Sequence, residues 1–266
     1  MEKENKVKKI KFSNIIFIFI ILFIVLFIVL FLINRIMIYN VLKKSYDTYD
    51  VFRKKDNIYA KAIVSSHGET ETTSISEIYK NGDKMRSVIL FSNLGEVINT
   101  FKRSDYYDKN SEEYIEIFNI NGQETYSIGE NNFFLNEEGI YYSSIILGHG
   151  NFDGLKLFDR IQSIYMLFLY LEDMYIEKVD DKECYVISIN IHQDEIDVVE
   201  KVWIDKETFL PVKDETYTVW QTLNKNGVLE TEYSKEYRKF EYKENVVTEE
   251  DVKWPDLSGK KVELIY

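Results

Sequence analysis

From Ile15 to Ile33 the chain holds 19 consecutive apolar residues with no charge, proline or glycine among them. At 1.5 Å per residue such a run is about 30 Å long, the thickness of a bilayer's hydrocarbon core. No small-residue cleavage pattern follows, only Asn34-Arg35-Ile36-Met37, so the run is read as a retained anchor and not a processed leader. The sole cysteine, Cys184, lies far downstream, so no lipid-modified cysteine follows the run. The expected organisation is a cytoplasmic tail over residues 1–13, a transmembrane helix over 14–38 and one extracytoplasmic domain over 39–266.

Charge gives the orientation. Residues 1–44 carry a net +6, with Lys3, Lys6, Lys8, Lys9 and Lys11 ahead of the run, and the remainder of the chain carries −18. The excess of bases before the run places the N-terminus in the cytoplasm and the acidic part outside, in the cell membrane as a single-pass protein. A domain this acidic repels nucleic acid, and a nucleic-acid partner is discarded. One cysteine excludes a disulfide scaffold and a multi-thiolate metal site.

Beyond the run, Ile38, Leu42, Ser45, Tyr49 and Phe52 recur at helical spacing, and no glycine or proline occurs before Gly68. The helix is expected to continue to about Lys55. It is either a stiff connection to the membrane or the first helix of the domain, packing its apolar side on a sheet; the amphipathic spacing favours the second. After Asp56-Asn57 the pattern turns to period two. Strands are expected at 58–66, on both sides of Asn81-Gly82-Asp83, at 97–102, on both sides of Asp108-Lys109-Asn110-Ser111, and on both sides of Asn121-Gly122. Residues 129–153 are irregular. Leu157, Phe158, Ile161, Ile164, Tyr165 and Phe168, with Leu171, mark a broad apolar helix. Strands resume around Cys184–Ile191, 198–204, 217–222 and 228–240. The fold class is α+β: a transmembrane helix, then a large curved antiparallel sheet, a half-open barrel, wrapped over helices.

Three stretches carry a resemblance: Glu77-Ile78-Tyr79-Lys80-Asn81-Gly82-Asp83-Lys84-Met85-Arg86, then Lys201-Val202-Trp203-Ile204-Asp205-Lys206-Glu207-Thr208-Phe209-Leu210-Pro211-Val212, and Trp254-Pro255-Asp256-Leu257-Ser258-Gly259. Together with the element order they resemble the LolA/RseB-like lipoprotein-sorting superfamily, in the form of a Gram-positive-type membrane-anchored relative. The resemblance covers most of residues 40–260. It implies an apolar cavity for acyl chains, lipoproteins or other lipid and peptide signals. Leu157, Phe158, Ile161, Ile164, Tyr165 and Phe168 are its candidate lining, and Arg86 matches a basic strand residue of the carriers. A shuttle must diffuse whereas this chain is tethered, so local binding or sensing is expected, not ferrying.

Catalytic chemistry is not signalled. His67, His149 and His192 have no partner at metal-ligand spacing, no Gly-x-Ser-x-Gly elbow or phosphate loop occurs, and Cys184 reads as a small buried hydrophobe. The acidic clusters, among them Asp180-Asp181 and Glu249-Glu250-Asp251, fall at expected turns. The expectation is a non-enzymatic protein without cofactor or metal. Its partners are the bilayer, through residues 15–33, and a lipid, acyl-chain or lipoprotein ligand. The alternative is an envelope sensor or interaction protein that regulates another membrane protein.

Overall fold

A computed structural model describes residues 12–67, 72–92, 100–130, 171–193, 196–223 and 229–265. One helix, α1 (Phe12–Arg53), occurs among them. It is followed by β1 (Asn57–His67), β2 (Thr72–Asn81), β3 (Lys84–Ser92), β4 (Thr100–Asp108), β5 (Glu113–Ile120) and β6 (Gln123–Glu130). The second series is β7 (Leu171–Val179), β8 (Lys182–Gln193), β9 (Ile196–Asp205), β10 (Pro211–Leu223), β11 (Leu229–Glu244) and β12 (Val262–Ile265).

The strands form one sheet in the order β12-β6-β5-β4-β3-β2-β1-β11-β10-β9-β8-β7. Two antiparallel meanders are thus joined by β1 against β11, from Ile58 opposite Glu244 to His67 opposite Lys235. Short turns set the registers. Asn121 and Gly122 both have positive φ, the twist a two-residue hairpin needs. Asp180 and Asp181 do the same without glycine, since a short polar side chain tolerates the left-handed region. That acidic pair is therefore turn chemistry, as its position in the sequence implied.

Helix α1 has two environments. From Ile15 to Ile33 every side chain is exposed, and the segment is long and apolar enough to cross a membrane. From Ile38 onward one stripe is buried: Ile38, Leu42, Ser45, Tyr49 and Phe52. These residues share a core with Ile58 and Ala60 of β1, Ile78 of β2, Ile187 and Ile189 of β8, and Val202 and Ile204 of β9. The register puts all of these strand residues on one face. Ala60 is one of only two alanines in the chain, and its small side chain lets the helix settle on the centre of the sheet. The helix beyond the apolar run is thus the first helix of the domain, as its spacing favoured.

The second motif acquires a physical meaning here. Asp205 accepts the backbone N–H groups of Glu207 (2.9 Å) and Thr208 (3.4 Å), and Thr208 Oγ1 accepts that of Leu210 (3.3 Å). This turn pushes Phe209, at positive φ, and Leu210 into the core that α1 fills. The Lys44 ammonium lies 3.6 Å above the Phe209 ring. Val202-Trp203-Ile204-Asp205 and the leucine-proline that ends the turn therefore dock the second meander onto α1.

Of the helices that the sheet was to wrap over, α1 is the one among the described residues that lies against it. The apolar stretch 157–168 lies outside the described residues. Leu171 was counted into that helix face; it opens β7, a strand that its sequence does not announce because its edge position leaves most of its residues partly or fully exposed. The last strand, β12, was also not expected; it runs parallel to β6.

Candidate functional site

The face of the sheet that carries α1 is apolar beneath the helix and charged on either side. On β4 and β5, Arg103 Nε stands 3.0 Å from Asp105 Oδ1 and 2.8 Å from Glu116 Oε1. Burial pushes both carboxyls above their ordinary range, against the pull of the shared guanidinium. Next to this cluster the rings of Phe91, Phe101 and Phe118 form a ladder across β3, β4 and β5, with centroids 5.7 and 5.9 Å apart.

On the other meander, Asp214 of β10 is fully buried and accepts a hydrogen bond from Arg238 Nε of β11 at 2.8 Å. Its second oxygen has no hydrogen-bond partner. Burial drives its carboxyl up to about 7; Arg238 opposes this, and Glu200 and Glu236 add to it. Sequence reasoning passed over all of these inward charges. Their signal was present as charged residues at alternate positions, Arg103 and Asp105 on β4 and Glu116 on β5.

The opposite face over β2–β6 is covered in part by the segment after β11. Asn57 clamps that segment, its side chain donating to the Val247 carbonyl (2.8 Å) and accepting the Val247 N–H (3.0 Å). Val252 is fully buried. Arg86 lies on this face, away from α1, its guanidinium 5.8 Å from the Tyr79 ring and 5.2 Å from that of Tyr106. Its Nε has no hydrogen-bond partner. Leu157, Phe158, Ile161, Ile164, Tyr165 and Phe168 lie outside the described residues, so the structure does not bring Arg86 together with them. An open groove of about 370 Å³ is lined by Thr73, Ile75, Leu90, Phe91, Phe101, Lys102 and Asn119 at the ends of β2–β5.

Where α1 passes from its exposed run to its buried stripe, Arg35 is 7% exposed, with Nε and Nη1 unpartnered and the guanidinium 4.6 Å from the Phe31 ring. It is within electrostatic reach of Asp173 on β7.

In chemical terms these groups are ion pairs, ring contacts and an open groove. Cys184 is buried, and burial raises its thiol above the ordinary range, which makes it a poor nucleophile. Among the described residues no group of three or more His, Cys, Asp or Glu is placed to hold a metal.

Neither a family model nor a curated protein matches the chain. Solved structures do. A LolA superfamily protein from Nitrosomonas europaea is 11% identical, with 81% of this chain and 96% of that one covered and a TM-score of 0.27. MucB, solved in complex with MucA(peri), is 13% identical over 79% of this chain at a TM-score of 0.32, and the match spans 59% of MucB. A conserved protein from Thermus thermophilus is 11% identical, with 82% and 96% covered and a TM-score of 0.33. These are the kinds of protein that the three sequence stretches resemble. At such TM-scores they carry no argument about this chain, and the functional reading rests on its own residues.

Proposed function

We propose that this protein is a single-pass, membrane-anchored binding domain, non-enzymatic and extracytoplasmic, for a lipid, an acyl chain or another apolar ligand. Residues 1–13 are its cytoplasmic tail, the span lies within 14–38, and the rest is the binding domain. The observation that carries the reading is the continuity of α1. A single helix leads from a fully exposed apolar run into the centre of the sheet, without a glycine or proline between. The domain is thereby seated on the bilayer. The Phe91–Phe101–Phe118 ladder, on the face of the sheet that α1 occupies, is the apolar surface offered to an acyl chain. Each methylene buried there contributes about 0.8 kcal/mol, so a fatty tail is held without polar chemistry.

The test uses the full chain, delipidated in detergent and titrated with oleate. At 100 times the dissociation constant, a ligand specific for the native state stabilises by about 2.7 kcal/mol. For a domain of this size that is a rise of roughly 5–10 °C in melting temperature. Phe101→Asp is expected to abolish the rise. An unchanged melting temperature at saturating oleate, and with a diacylated lipopeptide in its place, overturns the reading. The second reading, a sensor or interaction protein that regulates another membrane protein, is favoured by the same helix, because a rod shared by span and core transmits movement between them.

A further inference from the structure

The buried stripe of α1 begins with a charge. Arg35, Ile38, Leu42, Ser45, Tyr49 and Phe52 follow one another at alternating spacings of three and four, so they share a side of the helix, and all six are buried. Arg35 stands at the end of this stripe nearest the apolar run, two residues after Ile33.

A guanidinium keeps its charge and carries five N–H donors. The other enclosed arginines of the domain satisfy theirs on carboxylates: Arg238 on Asp214 at 2.8 Å, and Arg103 on Asp105 at 3.0 Å and Glu116 at 2.8 Å. Arg35 is 7% exposed, and its Nε and Nη1 are buried with no hydrogen-bond partner. Asp173 of β7 is the carboxylate within electrostatic reach, and its Oδ1 accepts the Met174 N–H at 2.8 Å instead. Enclosing a charge without a counter-charge opposes folding, so the site is incomplete as it stands.

The surroundings say what completes it. The Phe31 ring, one turn nearer the run, lies 4.6 Å from the Arg35 Cζ and braces the guanidinium on its membrane side. Met174, next to Asp173, packs on the core that contains Ile38 and Leu42. β7 is the last strand of the sheet, so this flank of α1 lies at a sheet edge. Along the axis Arg35 is about 3 Å beyond Ile33. The polar layer outside a bilayer's hydrocarbon core is roughly 5–7 Å deep, which sets Arg35 at the level of lipid headgroups when the run spans the core. A planar guanidinium fork there matches an oxyanion, two N–H groups to two oxygens.

We propose that Arg35 is a lipid-headgroup site, its guanidinium pairing with the oxyanion of an acyl lipid that lies against the apolar run of α1. The shared chemistry is a phosphodiester or a carboxylate on an acyl chain, from a phospholipid of the bilayer or from a free fatty acid. The proposal rests on the membrane-anchored reading but not on the phenylalanine ladder. It gives that reading a polar anchor at the junction of span and domain.

The test is thermal unfolding of the full chain, delipidated in maltoside micelles, with dioleoylphosphatidylglycerol, oleate or dioleoylglycerol added. The first two carry an oxyanion; the third has the same tails and none. The parent is expected to melt roughly 5–10 °C higher with dioleoylphosphatidylglycerol at about 100 times its dissociation constant, and to gain less from dioleoylglycerol. Arg35→Met removes the unpaired charge. Without lipid it is expected to melt above the parent by about 2–10 °C, and with dioleoylphosphatidylglycerol below it, so the order crosses. A rise that depends on Arg35 with dioleoylphosphatidylglycerol alone identifies a bilayer phospholipid, and one that depends on it with oleate identifies a free fatty acid; either supports the site. Equal rises with dioleoylglycerol and dioleoylphosphatidylglycerol, rises that Arg35→Met keeps in full, or an Arg35→Met form lower than the parent by the same amount with and without lipid each overturn the proposal and leave the anchored reading standing. Should Arg35→Met fail to fold, the comparison of the two dioleoyl lipids on the parent decides. A full chain that is soluble and monodisperse without detergent removes the anchored reading, and this site with it.

Discussion

Leu42→Ala separates a helix that merely leads to the domain from one that belongs to its core. Leu42 is fully buried among residues of β1, β2, β8 and β9. Truncation removes three carbons, worth about 2.4 kcal/mol at roughly 0.8 kcal/mol each. The void adds about 24 cal/mol per Å³, or roughly 1.5–2 kcal/mol for a residual cavity of about 60–80 Å³. The sum, about 4 kcal/mol, falls within the measured span for buried Leu→Ala changes, about 2–5 kcal/mol. At roughly 2–4 °C per kcal/mol for this size of domain, the melting temperature of the sheet drops by about 8–16 °C. The assay is thermal unfolding of the full chain in micelles, followed by far-ultraviolet circular dichroism in the strand region and by Trp203 fluorescence. Leu26→Ala is the control, a leucine of the same helix inside the exposed run. Equal melting temperatures for Leu42→Ala and Leu26→Ala would show that α1 does not belong to the core.

Asp214→Asn changes how stability depends on pH. The native carboxyl holds its proton to about pH 7, whereas the ordinary value is 3.8, so the native state binds more protons between these limits. This contribution to stability is therefore fully present below about pH 4, falls as pH rises towards 7 and is level above, a loss of roughly 2–4 kcal/mol. Urea titrations from pH 4 to 8 are expected to show the parent losing that amount relative to Asp214→Asn, and parallel curves would refute the assignment. Inserting Gly-Gly-Ser after Asn34 leaves the buried stripe intact and the sheet's melting temperature unchanged, but uncouples span from domain. Under the sensor reading the inserted form fails to complement a deletion strain, and full complementation contradicts that reading.

Much of the scaffold was legible. The run Ile15–Ile33 and the stripe from Ile38 to Phe52 are periodicities that one helix can satisfy alone, and both emerged as expected. Asn81-Gly82-Asp83 and Asn121-Gly122 are turn chemistry of the same local kind. β7 was hidden because an edge strand with most of its residues partly or fully exposed needs no clean alternation. The inward charges were hidden for another reason. Alternation says that two sets of side chains point opposite ways, not which set is enclosed. Over β3–β6 both faces bury residues: Asp105 and Glu116 on the side of α1, Val88, Tyr106 and Ile115 on the other. With no exposed polar face for contrast, nothing in the alternation marked Arg103, Asp105 and Glu116 as enclosed.

The amino-acid order alone determined the apolar run, the continuation of its helix, the succession of hairpins and the acidity of the portion beyond it, since each depends on composition or on neighbours a few residues apart. Only the tertiary structure decided that α1 itself occupies the centre of the sheet, that Asp214 meets Arg238 across two strands, and that β1 pairs with β11 to join the two meanders. Such facts depend on register and packing between distant segments. Those are settled by which surfaces can be buried together, and no local period encodes that.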